Sequence, residues 1–324
     1  MLLLGLRQRA LVSVQQHRIA HGFKQQTRNF YNNNYNRNYR RFGSRGDTEP
    51  VWRRRSFWYF SGITGVCTTV YYRTHLEESP TGRRRFIAVS PEYERMAGQS
   101  AYAQIMSEYR HRIVPQNTQT DRYVRRVAMR IIQASKLEGD WEVHVIDSPE
   151  KNAFVLPGGK IFVFSGLLPL TENEDGLATV LAHEIAHQYA RHSAEKLSAA
   201  RVMGLLYTLV AIFVDPNAAQ AGRAVTTLLL DLPNSRECEQ EADQIGLQLM
   251  AVACYDPAQA IQLWQRMQNS ERMAPPQLLN THPSTQSRIE NIRSWIPSAE
   301  MKREAANCPN TDITNSFFSQ LGFQ

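Results

Sequence analysis

The stretch Leu181-Ala182-His183-Glu184-Ile185-Ala186-His187 lies inside a longer run, Leu177–Leu197, that reads as one helix. Residues four apart share a helix face, so His183 and His187 aim their imidazoles at one point. Glu184 projects about 100° around the helix from His183, beside that point. Two histidines flanking a carboxylate in HExxH spacing suit a zinc ion that activates water, with Glu184 taking the proton. Leu177, Leu181, Ala182, Ile185 and Ala186 surround the motif. Burying two imidazoles and a carboxylate on so apolar a helix is costly unless they hold something.

A third ligand must come from elsewhere. A histidine ten residues after His183, with a glycine between, would define one subclass, but Ser193 and Ala190 stand there. His192 lies nine residues from His183, roughly 180° around a continued helix, and is expected to face away. The other subclass, the gluzincins, takes a glutamate from a later helix. Ser235-Arg236-Glu237-Cys238-Glu239-Gln240-Glu241-Ala242-Asp243 offers one. Glu239 and Asp243 are one turn apart on one face, so Glu239 can ligate while Asp243 accepts an N–H from a ligand histidine. Glu237 and Glu241 point elsewhere, and Cys238 reads as a small buried side chain.

Outward from the motif, the body of the chain reads as α+β and mostly helical, with a small sheet. Helices are expected over Gln119–Leu137, Glu239–Val252, Pro257–Met267 and Ser284–Ile296, with Pro257 and Pro283 near helix starts. Trp141–Ile146 alternates like a strand. Ala153–Leu156 and Ile161–Phe164 read as a hairpin around Pro157-Gly158-Gly159. The strand at Ile161 can pair with an extended peptide backbone, with Asn152 and Gly159 shaping the rim; a plain hairpin turn is the equal alternative. His282 precedes Pro283 and so favours an extended backbone. From a loop it can approach the metal opposite the HExxH helix, either as an oxyanion donor in catalysis or as a resting-state ligand. An exposed imidazole at a helix start is the remaining alternative.

The chain has 324 residues, 42% of them hydrophobic, and a formal net charge of +7. That charge suggests nucleic acid until it is located. The first 46 residues carry nine Lys/Arg and no Asp or Glu, which leaves about −2 for the rest. A nucleic-acid footprint belongs on a folded domain, so no nucleic-acid partner is expected. The acid-free, Arg-rich leader, residues 1–50, reads instead as a mitochondrial transit peptide with an Asn/Tyr-rich linker. Four scattered cysteines with no CxxC pair exclude a disulfide scaffold and a zinc finger, and leave the pairing of Cys254 with Cys308 open.

Ser56–Tyr72 contains no charge over 17 residues, lies between Arg53-Arg54-Arg55 and Arg73, and has aromatic residues near both ends. It is expected to form one transmembrane anchor, at the short limit of a spanning helix. Val202–Val214 is too short to span and is expected either to be buried or to rest on the bilayer. The domain plan is thus leader 1–50, anchor 56–72, juxtamembrane linker or helix 73–118, metallopeptidase domain 119–298 and tail 299–324.

Taken together, HEIAHQYARH, SRECEQEADQIG about fifty residues later, Asn152-Ala153-Phe154, Leu156-Pro157-Gly158-Gly159, Gly166-Leu167-Leu168, Thr281-His282-Pro283 and Ser287-Arg288 carry a family likeness. Over Asp121–Ile296 the chain resembles the peptidase family of CAAX prenyl protease type 1 and the bacterial heat-shock membrane protease. The resemblance implies a gluzincin fold and one Zn2+ held by His183, His187 and Glu239. With the leader and anchor it implies a zinc metalloendopeptidase of the mitochondrial inner membrane that serves protein quality control, its catalytic domain facing the intermembrane space. The partners implied are polypeptide substrates in or near that membrane, membrane lipid, and a homo-oligomer as an open option. One good span instead of several argues against prenyl-protein processing. The competing expectation is a membrane-tethered binding or holdase protein with an inactive metal site; the intact Glu184 speaks against it.

Overall fold

The computed structural model describes residue 53 and residues 55–213, 235–271, 278, 282 and 286–308. The leader 1–50 lies outside these residues. The chain forms two compact units, Met1–Val66 and Cys67–Gln324. Helix α1 (Arg55–Thr74) contains the expected anchor, and Trp58, Tyr59, Ile63, Val66 and Val70 along it are exposed. Even so, among the described residues no helix is long and apolar enough to cross a membrane. Ser56, Ser61, Thr64, Thr68 and Thr69, with two glycines, dilute the apolar run.

In the second unit, β1 (Leu76–Glu78) and β2 (Arg84–Phe86) form an antiparallel hairpin, in a region expected to be linker or helix. Helix α2 (Pro91–Tyr109) starts at Ser90, whose hydroxyl accepts from the Tyr93 N–H. Helix α3 (Gln119–Ala134) starts at Thr118 in the same way and buries Val124, Val127, Ala128, Ile131 and Ile132, the stripe its sequence foretells. Strands β3 (Glu142–Ile146), β4 (Ala153–Leu156) and β5 (Lys160–Phe164) follow. Their order is β3-β5-β4, with β5 parallel to β3 and antiparallel to β4. Gly158 and Gly159 turn the hairpin at φ +93° and +82°, values that only glycine adopts without strain.

Helix α4 (Glu174–Tyr189) carries the HExxH motif. Asn173 caps it, its side chain accepting from Gly176 N–H at 2.8 Å. The long helix expected through Leu197 is broken: α4 ends, Arg191 takes φ +54°, and α5 (His192–Phe213) starts anew. Arg85 donates to the Ala190 carbonyl and Arg191 pairs with Glu94 at 3.1 Å, so tertiary partners hold the break. Val202, Leu205 and Leu206 of α5 are exposed. Helices α6 (Arg236–Val252), α7 (Gln259–Glu271) and α8 (Gln286–Ala305) complete the unit. Helix α8 continues through Pro297, past the expected domain end at 298.

The main core gathers residues of α3, the sheet, α4, α6, α7 and α8, with Leu177, Leu181 and Ile185 of α4 fully buried. Helix α6 crosses α4 at Gly246. A Cβ there would stand 3.1 Å from both Cα and N of His183, so the two backbones touch where the motif begins. Beyond α6, Cys254 is joined to Cys308 by a disulfide that ties the end of α8 to the end of α6.

Candidate metal centre

The α4–α6 contact brings the distant halves of the site together. His183 Nε2 and His187 Nε2 are 3.1 Å apart. Glu239 from α6 reaches both, Oε2 lying 3.4 Å from His183 Nε2 and Oε1 3.4 Å from His187 Nε2. His282, just ahead of α8, places Nδ1 2.9 Å from Glu239 Oε1 and 3.2 Å from His183 Nε2. Its burial sets aside the exposed-imidazole alternative. The four residues are buried, and one donor atom from each lies within 4.8 Å of the others. Glu184, also buried, turns Oε1 to within 3.4 Å of His282 Nε2, and among the described residues that oxygen has no hydrogen-bond partner.

The surroundings set the charge of each group. Burial lowers the His183 imidazole, but hydrogen bonds to Asp243 and Glu239 outweigh it and raise the group to about 9. Burial drives His187 well below its ordinary value. Burial raises the Glu184 carboxyl, moving it toward the range a general base needs. Burial also works to raise Glu239, yet hydrogen bonds with His183 and His282 hold it well below the usual carboxylate range.

Asp243 lies one turn from Glu239, with Oδ1 2.9 Å from His183 Nδ1. Arg288 of α8 grips Asp243 through two contacts of 2.8 Å, reaches Glu239 Oε2 at 3.0 Å, and stacks over Trp264 at 4.0 Å. Arg288 entered the sequence reading only as part of a motif. Nothing in its spacing shows that it crosses to Asp243.

Three expectations need correction. His192 does not face away: it is buried, with Nδ1 2.8 Å from His187 Nδ1. The break at Ala190–Arg191 resets the helical phase, so counting 100° per residue past it fails. Glu241, expected to point away from the face shared by Glu239 and Asp243, is not among the converging donors; it is buried and accepts from His192, Thr81 and Arg83. Ile161 offers no free strand edge, because β5 is central and pairs with β3 on one side and β4 on the other. Gly159 is likewise buried, its absent Cβ 3.0 Å from the Trp141 ring. Asn152 is half-buried, and its carbonyl accepts from Phe164 N–H at 3.0 Å. Cys238 is buried.

The donor set suits a small divalent ion. Two imidazole nitrogens and a carboxylate converge, the outward nitrogen of His187 is hydrogen-bonded to His192 while that of His183 lies 2.9 Å from Asp243, and a carboxylate oxygen without a hydrogen-bond partner among the described residues stands alongside. The fold and this site define a metallopeptidase of the HExxH class. The sequence profile of Peptidase family M48 matches residues 116–296, more than half of the chain, and the chain belongs to that family. Several relatives that match about four fifths of its length are named mitochondrial metalloendopeptidase OMA1. The Schizosaccharomyces pombe protein is 46% identical over 264 residues, 80% of this chain and 78% of its own. The Saccharomyces cerevisiae protein is 39% identical over 285 residues, 81% of each. The human protein, metalloendopeptidase OMA1, mitochondrial, is 32% identical over 278 residues, 79% of this chain and 53% of its own.

Proposed function

We propose that the chain is a membrane-anchored zinc metalloendopeptidase that cleaves misfolded or regulatory proteins of the mitochondrial inner membrane. The observation that carries the reading is the buried convergence of His183, His187 and Glu239 beside the unpartnered Glu184 oxygen. In it, His183, His187 and Glu239 hold one zinc ion. Zinc, when bound, polarises the scissile carbonyl and makes water a nucleophile near neutral pH. Glu184 takes the proton from the attacking water and passes it to the leaving amine. Asp243, fixed by Arg288, keeps the proton of His183 on Nδ1, leaving Nε2 as the donor.

The peptide docks along β4 instead of Ile161. Strand β4 has β5 on one side and no strand on the other among the described residues, and it packs on the motif helix. Asn152, just ahead of it, lines the approach. The acid-free leader and the names of the relatives support the mitochondrial assignment. The exposed aromatic and apolar residues of α1, and Val202, Leu205 and Leu206 of α5, support contact with lipid. The Cys254–Cys308 disulfide suits an oxidising compartment, in keeping with a catalytic domain in the intermembrane space.

Zinc content and cleavage of an unfolded protein, measured for wild type and Glu184→Gln, test the reading. The variant should keep one zinc and lose about 10²–10⁴-fold in turnover, because an amide cannot act as base. Cleavage by the variant at the wild-type rate would overturn the mechanism. A wild type that binds zinc and cleaves nothing would favour the holdase alternative.

A further inference from the structure

His187 presents Nε2 to the donor cluster, so its proton sits on Nδ1 and is donated to His192 Nδ1 at 2.8 Å. With Nδ1 accepting, the His192 proton sits on Nε2 and is donated to Glu241 Oε2 at 3.2 Å. An ionised carboxylate only accepts, so the direction of the whole relay is fixed from its far end. That end is held by the β1–β2 hairpin. Thr81 Oγ1 donates to Glu241 Oε1 at 2.9 Å, and Arg83 Nε donates to Oε2 at 3.0 Å. The Arg83 guanidinium is itself clamped by both oxygens of Glu195, at 2.9 and 2.6 Å, in the first turn of α5. The hairpin follows directly on α1, and Phe86 of β2 stacks on Tyr72 with ring centroids 5.4 Å apart.

We propose that the β1–β2 hairpin is a positioning element of the metal centre, acting through Glu241 and His192 to fix the proton and ring orientation of His187. The proposal rests on the metal-site reading above. His183 is oriented from α6 and α8 by Asp243 and Arg288; His187 is oriented from the segment next to the proposed anchor. The two ligand histidines thus answer to different parts of the chain. Displacement of the hairpin loosens His187 alone.

The test uses the full-length chain in detergent, with zinc affinity read by chelator competition and the visible absorption of the Co(II)-substituted form as a geometric signature. His192→Phe should weaken zinc binding about 10–100-fold and alter the Co(II) spectrum. His192→Gln, whose carbonyl accepts and whose amide donates, should restore most of both. Arg83→Ala should weaken binding in the wild-type background and add nothing in His192→Phe, because its effect travels through that residue. Unchanged affinity and spectrum in His192→Phe, or equal Arg83→Ala effects in both backgrounds, would overturn the proposal. Should His192→Phe not fold when its metal-free melting is checked, Arg83→Ala alone decides, since Arg83 sits on a partly exposed hairpin; wild-type affinity and spectrum in that variant overturn the hairpin's role. A wild type that binds no zinc would instead fail the metal-site reading itself.

Discussion

His282 keeps Nδ1 among the donor atoms of Glu239 and His183, and turns Nε2 toward Glu184. As a further donor to a bound metal it would fill the coordination position that a substrate carbonyl takes. Replacing it by alanine should therefore raise basal cleavage while weakening zinc binding. Steady-state kinetics on an unfolded substrate, with zinc content alongside, check this; a fall in kcat with zinc retained would assign the residue to the oxyanion instead. At this scale the legible residues were those related by spacing within one helix: His183 with His187, and Glu239 with Asp243. His192 was not legible, because its position depends on a left-handed Arg191 held by Glu94 and on an Ala190 carbonyl taken by Arg85. Those partners lie about a hundred residues away in sequence, where helical counting does not reach.

The contact between α4 and α6 makes Gly246 the critical position among the elements. A side chain there meets backbone atoms of His183. Gly246→Ala should destabilise the fold by about 1–3 kcal/mol and weaken zinc binding, since α6 must move off the helix that carries both histidines. Thermal unfolding of the metal-free and zinc-loaded forms separates the two effects. Wild-type zinc affinity in the variant would show that the helices can part without disturbing Glu239. Helices α3, α6, α7 and α8 and the β4–β5 hairpin were readable from periodicity and the Pro-Gly-Gly turn, whereas the break between α4 and α5 was not. Strand β3 was readable too, but its parallel pairing with β5 was not, because the residues between them contain another strand and give no local pairing signal. That crossover turns β5 from an open edge into the middle of the sheet.

For the whole molecule, the proposed anchor and the disulfide make separate predictions. The mature protein should resist carbonate extraction from mitochondrial membranes, and deletion of Ser56–Tyr72 should release it. A deleted form that stays embedded would transfer the anchoring to α5 and its exposed Val202, Leu205 and Leu206. The Cys254–Cys308 link closes a loop of 54 residues. Chain-entropy reasoning assigns such a loop about 4 kcal/mol, so Cys308→Ser should lower stability by an amount of that order in denaturant titrations. No measurable change would mean that the native state gives the gain back. The sequence divided the acid-free leader from the nearly neutral body through charge alone, a property that needs no fold to be read.

The edge position of β4 has a kinetic consequence. A strand that recognises a partner through main-chain hydrogen bonds accepts only a backbone whose own bonds are open. With β4 as the docking strand, a folded protein is invisible to the enzyme except in the moments when it opens. Its lifetime is then set by its own opening equilibrium, and each 1.4 kcal/mol of stability it loses exposes it about tenfold more often. Under that proposal the protease would rank its clients first by how poorly they hold together.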